Sequence, residues 1–121
     1  MNRVLIVDDD VHAADAVALL LENEAAEVRV AYGGASALAA CTAFGPTLVF
    51  VDIGMPDMNG YELARQIHAL RLTRAPILVA LTAWAPEHDT VRAYEARFTK
   101  HLMKPATLAS ILEVLPAPPP W

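Results

Sequence analysis

Five side chains with polar chemistry stand at the ends of short apolar runs. Asp8 and Asp9 follow Val4-Leu5-Ile6-Val7, Asp52 follows Leu48-Val49-Phe50-Val51, Thr82 follows Ile77-Leu78-Val79-Ala80-Leu81, and Lys104 follows His101-Leu102-Met103. A single Asp after a strand is more often a turn residue, bonding its own backbone two positions on. Coincidence explains one polar strand end well and four of five poorly. Carboxylates that converge repel and raise one another's pKa unless a cation offsets them. A hard divalent cation fits such a set: Mg2+ takes oxygen ligands, keeps several waters and commonly uses one or two carboxylates plus a phosphate oxygen.

The elements that must position these groups alternate along the chain, as in repeated β-α units. Val4–Val7 reads as the first strand, and Asp10 can cap a helix whose inner face is Val11, Ala14, Ala18 and Leu21. Residues 27–31 alternate Val28 and Val30 and read as an edge-like strand. An Ala-rich helix follows, with Leu38 and Cys41 inward, stopped by Gly45-Pro46. The run 48–51 is long and apolar enough for a strand covered on both faces, and Pro56 and Gly60 punctuate the loop after Asp52. The third helix is expected from about Tyr61, with Leu63, Ile67 and Leu70 inward.

The second half repeats the plan. A strand over 77–81 leads to Thr82, and a fourth helix is expected after Pro86, with a thin apolar face of Val91, Ala93, Ala96 and Phe98. A short strand around 101–103 precedes a fifth helix bearing Leu108, Ile111, Leu112 and Leu115, capped by Thr107. Right-handed crossovers then give a doubly wound α/β sheet with helices on both faces, and ligands of such sheets collect at the carboxyl ends of the strands. One domain is expected over 1–115, with 116–121 a proline-rich tail or the start of a linker.

Composition bounds the function. At 121 residues and 55% hydrophobic the chain can bury a core. A net charge of −5 without a basic run argues against direct nucleic-acid binding, which depends on clustered Lys and Arg. The lone Cys41 excludes an internal disulfide and reads as a buried hydrophobe. No signal-peptide core and no apolar run near about 18 residues is present, so a cytoplasmic, non-membrane protein is expected. His12, His68 and His88 are scattered on expected helix surfaces.

The ordered set Asp8-Asp9, Asp52 with Met55-Pro56 and Gly60, Thr82-Ala83 and Lys104-Pro105 resembles the receiver domain of two-component response regulators over almost the whole chain. The stretches 80–84 and 101–105 look most like receivers attached to hybrid histidine kinases. The resemblance implies a flavodoxin-like fold with five parallel strands in the order 2-1-3-4-5 and five helices. It implies that Asp52 accepts a phosphoryl group from a histidine kinase or phosphotransfer domain. Asp9, Asp52 and the Gly54 carbonyl would hold Mg2+, with Asp8 supporting it through water, and Thr82 and Lys104 would contact phosphoryl oxygens. The switch would run from Thr82 to the position of His101, altering a face of the fourth helix, fifth strand and fifth helix that a downstream partner or output domain reads. Ala83 leaves room for the phosphoryl group, and Trp84 would overhang it. The chemistry is consistent, since a carboxylate can act as a phosphoryl nucleophile and the transfer needs mostly positioning and charge neutralisation.

Two departures stand out. Such receivers often have glycine before an apolar residue where this chain has Arg97-Phe98, so the easy left-handed helix stop is missing. His101 replaces the usual Tyr or Phe. Among other classes, an aspartyl-nucleophile phosphatase would want an acid two residues after Asp52, where Gly54 stands, and no glycine-rich nucleotide loop occurs. A receiver-like interaction module that no longer uses phosphorylation is the alternative.

Overall fold

The apolar runs pair as parallel strands. The computed structural model describes residues 1–22, 24, 26–83 and 97–120. In chain order these form β1 (Asn2–Val7), α1 (Val11–Glu22), β2 (Ala26–Ala31), α2 (Gly34–Phe44), β3 (Leu48–Asp52), α3 (Gly60–Ala69), β4 (Ile77–Thr82), β5 (Lys100–Met103) and α4 (Leu108–Val114). The sheet order is β2-β1-β3-β4-β5, all parallel, which is the flavodoxin-like doubly wound arrangement. Four helices lie among the described residues; the helix expected after Pro86 falls on 84–96, outside them. No helix among the described residues is long and apolar enough to cross a membrane.

Strand alternation sorts the core into two layers. Leu5, Val7, Val49, Val51, Leu78 and Ala80 face α2 and α3, whereas Val4, Ile6, Leu48, Phe50, Val79 and Leu81 face α1 and α4. The central β3 is buried along its entire length, as its unbroken apolar run requires. Removing the fully buried Phe50 ring would cost about 3–5 kcal/mol. β2, with Val28 and Val30 half-buried, is the edge strand its sequence suggested.

Helix limits follow local chemistry. The Asp10 carboxylate accepts from Ala13 N–H at 3.2 Å and caps α1. Gly45 ends α2 at φ 65°, a left-handed conformation that glycine adopts without steric cost. Asn59 caps α3 by accepting from Glu62 N–H, and Thr107 and Ser110 form a reciprocal capping box on α4. Arg97 itself takes the left-handed conformation, at φ 63°, so the missing glycine is met by a strained arginine.

Several inner faces differ from expectation. Val11 is exposed at the first position of α1, and Val17 is buried instead. α3 begins one residue early, at Gly60, and ends before Leu70; Leu70 is therefore exposed, while Tyr61 and Ala64 are buried. α4 ends at Val114, which packs inward with Ile111, leaving Leu112 exposed. Phe98 lies beyond any described helix, half-buried against the α2–α3 layer. Residues 116–120 form no regular element, as the prolines dictate, and the Pro116 carbonyl accepts from Asn2 Nδ2 at 2.9 Å.

Candidate functional site

Strand register brings the polar strand ends to one rim. Val7 pairs with Val51, so Asp8 and Asp52 emerge side by side one residue later. Asp52 pairs with Leu81 and Thr82 with Met103, which sets Thr82 and Lys104 on the same edge. Lys104 N–H donates to the Thr82 carbonyl at 2.9 Å, holding the start of the β5–α4 loop against β4. The Lys104-Pro105 peptide is cis.

Lys104 Nζ reaches 2.8 Å from Asp8 Oδ2 and 3.2 Å from Asp52 Oδ1. Both carboxylates are buried, with Asp8 1% and Asp52 6% exposed, so the pairing is shielded from water. Backbone groups finish the accounting: Asp8 Oδ1 accepts from Asp10 N–H at 3.0 Å, and Asp52 Oδ1 from Gly54 N–H at 3.1 Å. Burial pushes the Asp52 carboxyl up to about 6, and the Asp8 carboxyl beside it adds to the rise; Gly54 N–H and Lys104 oppose it. Burial pulls the Lys104 ammonium down, but the two carboxylates outweigh it and hold that ammonium above its ordinary range.

Oxygens of Asp8, Asp9 and Asp52 lie within 4.8 Å of one another. An all-oxygen set with one exposed member, Asp9, leaves open coordination positions for water. These residues fit Mg2+, which prefers few protein oxygens and retains waters.

The site loop is docked on both sides. A Cβ on Gly60 would come within 2.7 Å of the Asp52 carbonyl and 2.8 Å of Ile53 Cα, so the first turn of α3 sits directly on the backbone of the acid. Gly60 N–H donates to the Ile53 carbonyl at 3.1 Å. On the other side Asp57 Oδ2 accepts from Gly34 N–H at 3.4 Å, supplying α2 with the acidic cap that Gly33 lacks.

Comparison with known proteins gives the lineage. The family model described as response regulator receiver domain matches residues 4–116. The chain belongs to the response regulator receiver family. It is 34% identical over 104 residues to the DNA-binding response regulator MtrA of Mycobacterium tuberculosis, covering 86% of this chain and 44% of MtrA; the chain thus spans less than half of that relative. A crystal structure of a CheY-like receiver domain protein from Methanospirillum hungatei matches with a TM-score of 0.84 and 33% identity, over 93% of this chain and 89% of that one. The receiver of Ssk1 in its co-crystal with the Saccharomyces cerevisiae phosphotransfer protein Ypd1 matches with a TM-score of 0.83 and 26% identity, over 93% of this chain and 84% of that one.

In this receiver the expected set Asp8, Asp9, Asp52 and Lys104 is brought together. Thr82 is buried at the end of β4. Gly54 and Ala83 are exposed beside the rim, and Trp84 lies outside the described residues. His101 pairs with Ala80 in register, and alternation puts His101 on the same face of β4 and β5 as Thr82. Cys41 is buried, and burial raises its thiol to about 11, so it behaves as a hydrophobe. Of the histidines, His12 is exposed and His68 half-buried, while His88 lies outside the described residues.

Three contributors escaped sequence reasoning. Asp57 carried no role in the sequence, because it caps a helix 23 residues away and that signal lies in space and not along the chain. Tyr61 marked only the start of the third helix, and Phe98 an apolar position of the expected fourth. Their rings meet at 6.1 Å and 73°, and Phe98 meets the His101 ring at 6.1 Å and 55°.

Proposed function

We propose that this chain is a phosphoacceptor receiver of a two-component phosphorelay, with Asp52 the residue that takes the phosphoryl group. The observation that carries the reading is Lys104 bridging buried Asp8 and Asp52 beside the acidic cluster at the strand ends. Asp52 is ionised above about pH 6 and is then a competent nucleophile. Its Oδ forms the new bond to phosphorus as the P–N bond of a donor phosphohistidine breaks, and the electron pair stays on the imidazole, which takes up a proton.

Asp9 and Asp52, with the Gly54 carbonyl and with Asp8 through water, would hold Mg2+. When bound, Mg2+ supplies the positive charge that offsets these carboxylates and the transferred phosphoryl oxygens. Lys104 and Thr82 then pair with phosphoryl oxygens, and the exposed Ala83 keeps the approach open. Thr82 and His101 share one face of β4 and β5, which suits a switch from the site toward β5 and the C-terminal helix. The implied upstream partner is a histidine kinase or phosphotransfer protein, in keeping with the Ypd1 complex of the similar Ssk1 receiver. The downstream partner is a protein or output domain reading that face. The receiver covers 1–115 with 116–121 a tail or linker, acts in the cytoplasm and does no catalysis beyond its own phosphorylation and dephosphorylation.

Incubation with acetyl phosphate and Mg2+, followed by intact mass, tests this. One added phosphoryl group that requires Mg2+ supports it; no addition favours a receiver-like interaction module instead.

A further inference from the structure

We propose that Phe98 is a positioning residue that carries the phosphorylation signal to His101, so that this receiver switches through a Tyr61–Phe98–His101 aromatic bridge. The inference rests on the phosphoacceptor reading above and extends it to residues outside the site.

The bridge closes a circuit of contacts that starts and ends at Asp52. Asp52 is continuous with the loop on which Gly60 rests, 2.7 Å being the clearance a Cβ there would leave from the Asp52 carbonyl. The next residue, Tyr61, is 3% exposed and opens the same turn of α3. Its ring meets Phe98 edge to face, and the Phe98 ring leans on the His101 imidazole. His101 stands opposite Ala80, whose small side chain leaves room for a ring, and three residues later Lys104 returns to Asp52 at 3.2 Å. Any displacement of Thr82 or Lys104 toward a phosphoryl group therefore strains β5 against a ring already braced on the far side of the site.

An imidazole alone is a poor filler for such a switch. It is smaller than a phenol and has two polar edges, so its burial gains less. Phe98 supplies the apolar surface that His101 lacks. Edge-to-face and tilted ring pairs are favoured at these centroid separations. A ring at position 98 thus gives His101 one preferred seat at rest and a defined alternative when Thr82 moves.

The test uses the full chain with beryllofluoride and Mg2+, comparing wild type with Phe98→Ala, Phe98→Leu and Phe98→Tyr. Fluorine NMR reports occupancy of the site, and the His101 imidazole proton and carbon shifts report the switch. At equal occupancy, Phe98→Ala and Phe98→Leu are expected to show about a three- to tenfold weaker His101 response, and Phe98→Tyr to restore it. Wild-type responses in Phe98→Ala and Phe98→Leu, or full rescue by Leu, overturn the inference, because apolar volume alone would then suffice. Should Phe98→Ala fail to fold, the Leu and Tyr variants decide. Failure of the wild type to bind beryllofluoride would instead bring down the phosphoacceptor reading, and this inference with it.

Discussion

Gly60 and Asp52 touch through their backbones: a single methyl at Gly60 would stand 2.7 Å from the Asp52 carbonyl oxygen. The obstructing atoms are backbone, so they cannot rotate away. Gly60→Ala is expected to destabilise the fold by about 1–3 kcal/mol, in the range of an overpacked core. It should also slow phosphorylation, since α3 must back away from the acid. Urea unfolding and acetyl phosphate kinetics measure the two effects, and wild-type values in both would show that the loop yields freely.

Arg97 offers the opposite experiment. It holds φ at 63°, where an L-residue is strained by about 1–2 kcal/mol. Arg97→Gly should raise stability by roughly 0.5–1 kcal/mol, the relief of strain being partly cancelled by glycine's greater freedom in the unfolded chain. An unchanged or lower denaturation midpoint would contradict this.

The raised pKa of Asp52 makes a pH prediction. A folded pKa raised from 3.8 to about 6 favours the protonated acid, so its stabilising contribution is complete below about pH 4 and is lost as pH rises through 6. Above that, the buried charge is a liability. Asp52→Asn should therefore be more stable than wild type at pH 8 without metal, by about 1–3 kcal/mol, and the gap should close by pH 4. Thermal melts in a chelating buffer at the two pH values check the sign; a gap that widens in acid would reverse the argument.

Lys104 neutralises what Asp8 and Asp52 create. Lys104→Ala leaves two buried carboxylates without their cation, a loss of roughly 2–4 kcal/mol in the metal-free protein, moderated because a stranded carboxyl can take up a proton. Its pKa is raised in the fold, so the contribution is present at neutral pH and is lost only as pH climbs through that raised value. Added Mg2+ should recover part of the stability, and the variant should still accept phosphate from a small donor while losing the induced NMR shifts. Intact shifts in Lys104→Ala would remove its role as the signalling hook.

Much of this was legible in the chain because strand ends are short-range signals. Apolar runs met a carboxylate, hydroxyl or ammonium abruptly, and β3's continuous run named a central strand whose acid had to surface at the rim. Caps at Asp10 and Thr107 follow the same local logic, although helix faces were read less well where an end moved by one residue, as at Leu70 and Leu112. What sequence spacing does not carry is contact between loops. Asp57 caps a helix 23 residues away, and Phe98 joins Tyr61 to His101 only once the sheet has brought α3 and β5 together.

The central claim is that Asp52 itself is phosphorylated. Treating the protein with acetyl phosphate and Mg2+, reducing the acyl phosphate with borohydride and mapping the peptides locates the modified carboxyl directly. The account predicts a single modification at position 52, absent when Mg2+ is withheld and absent from Asp52→Asn. Modification at Asp8, Asp9 or Asp57 with position 52 untouched would contradict it.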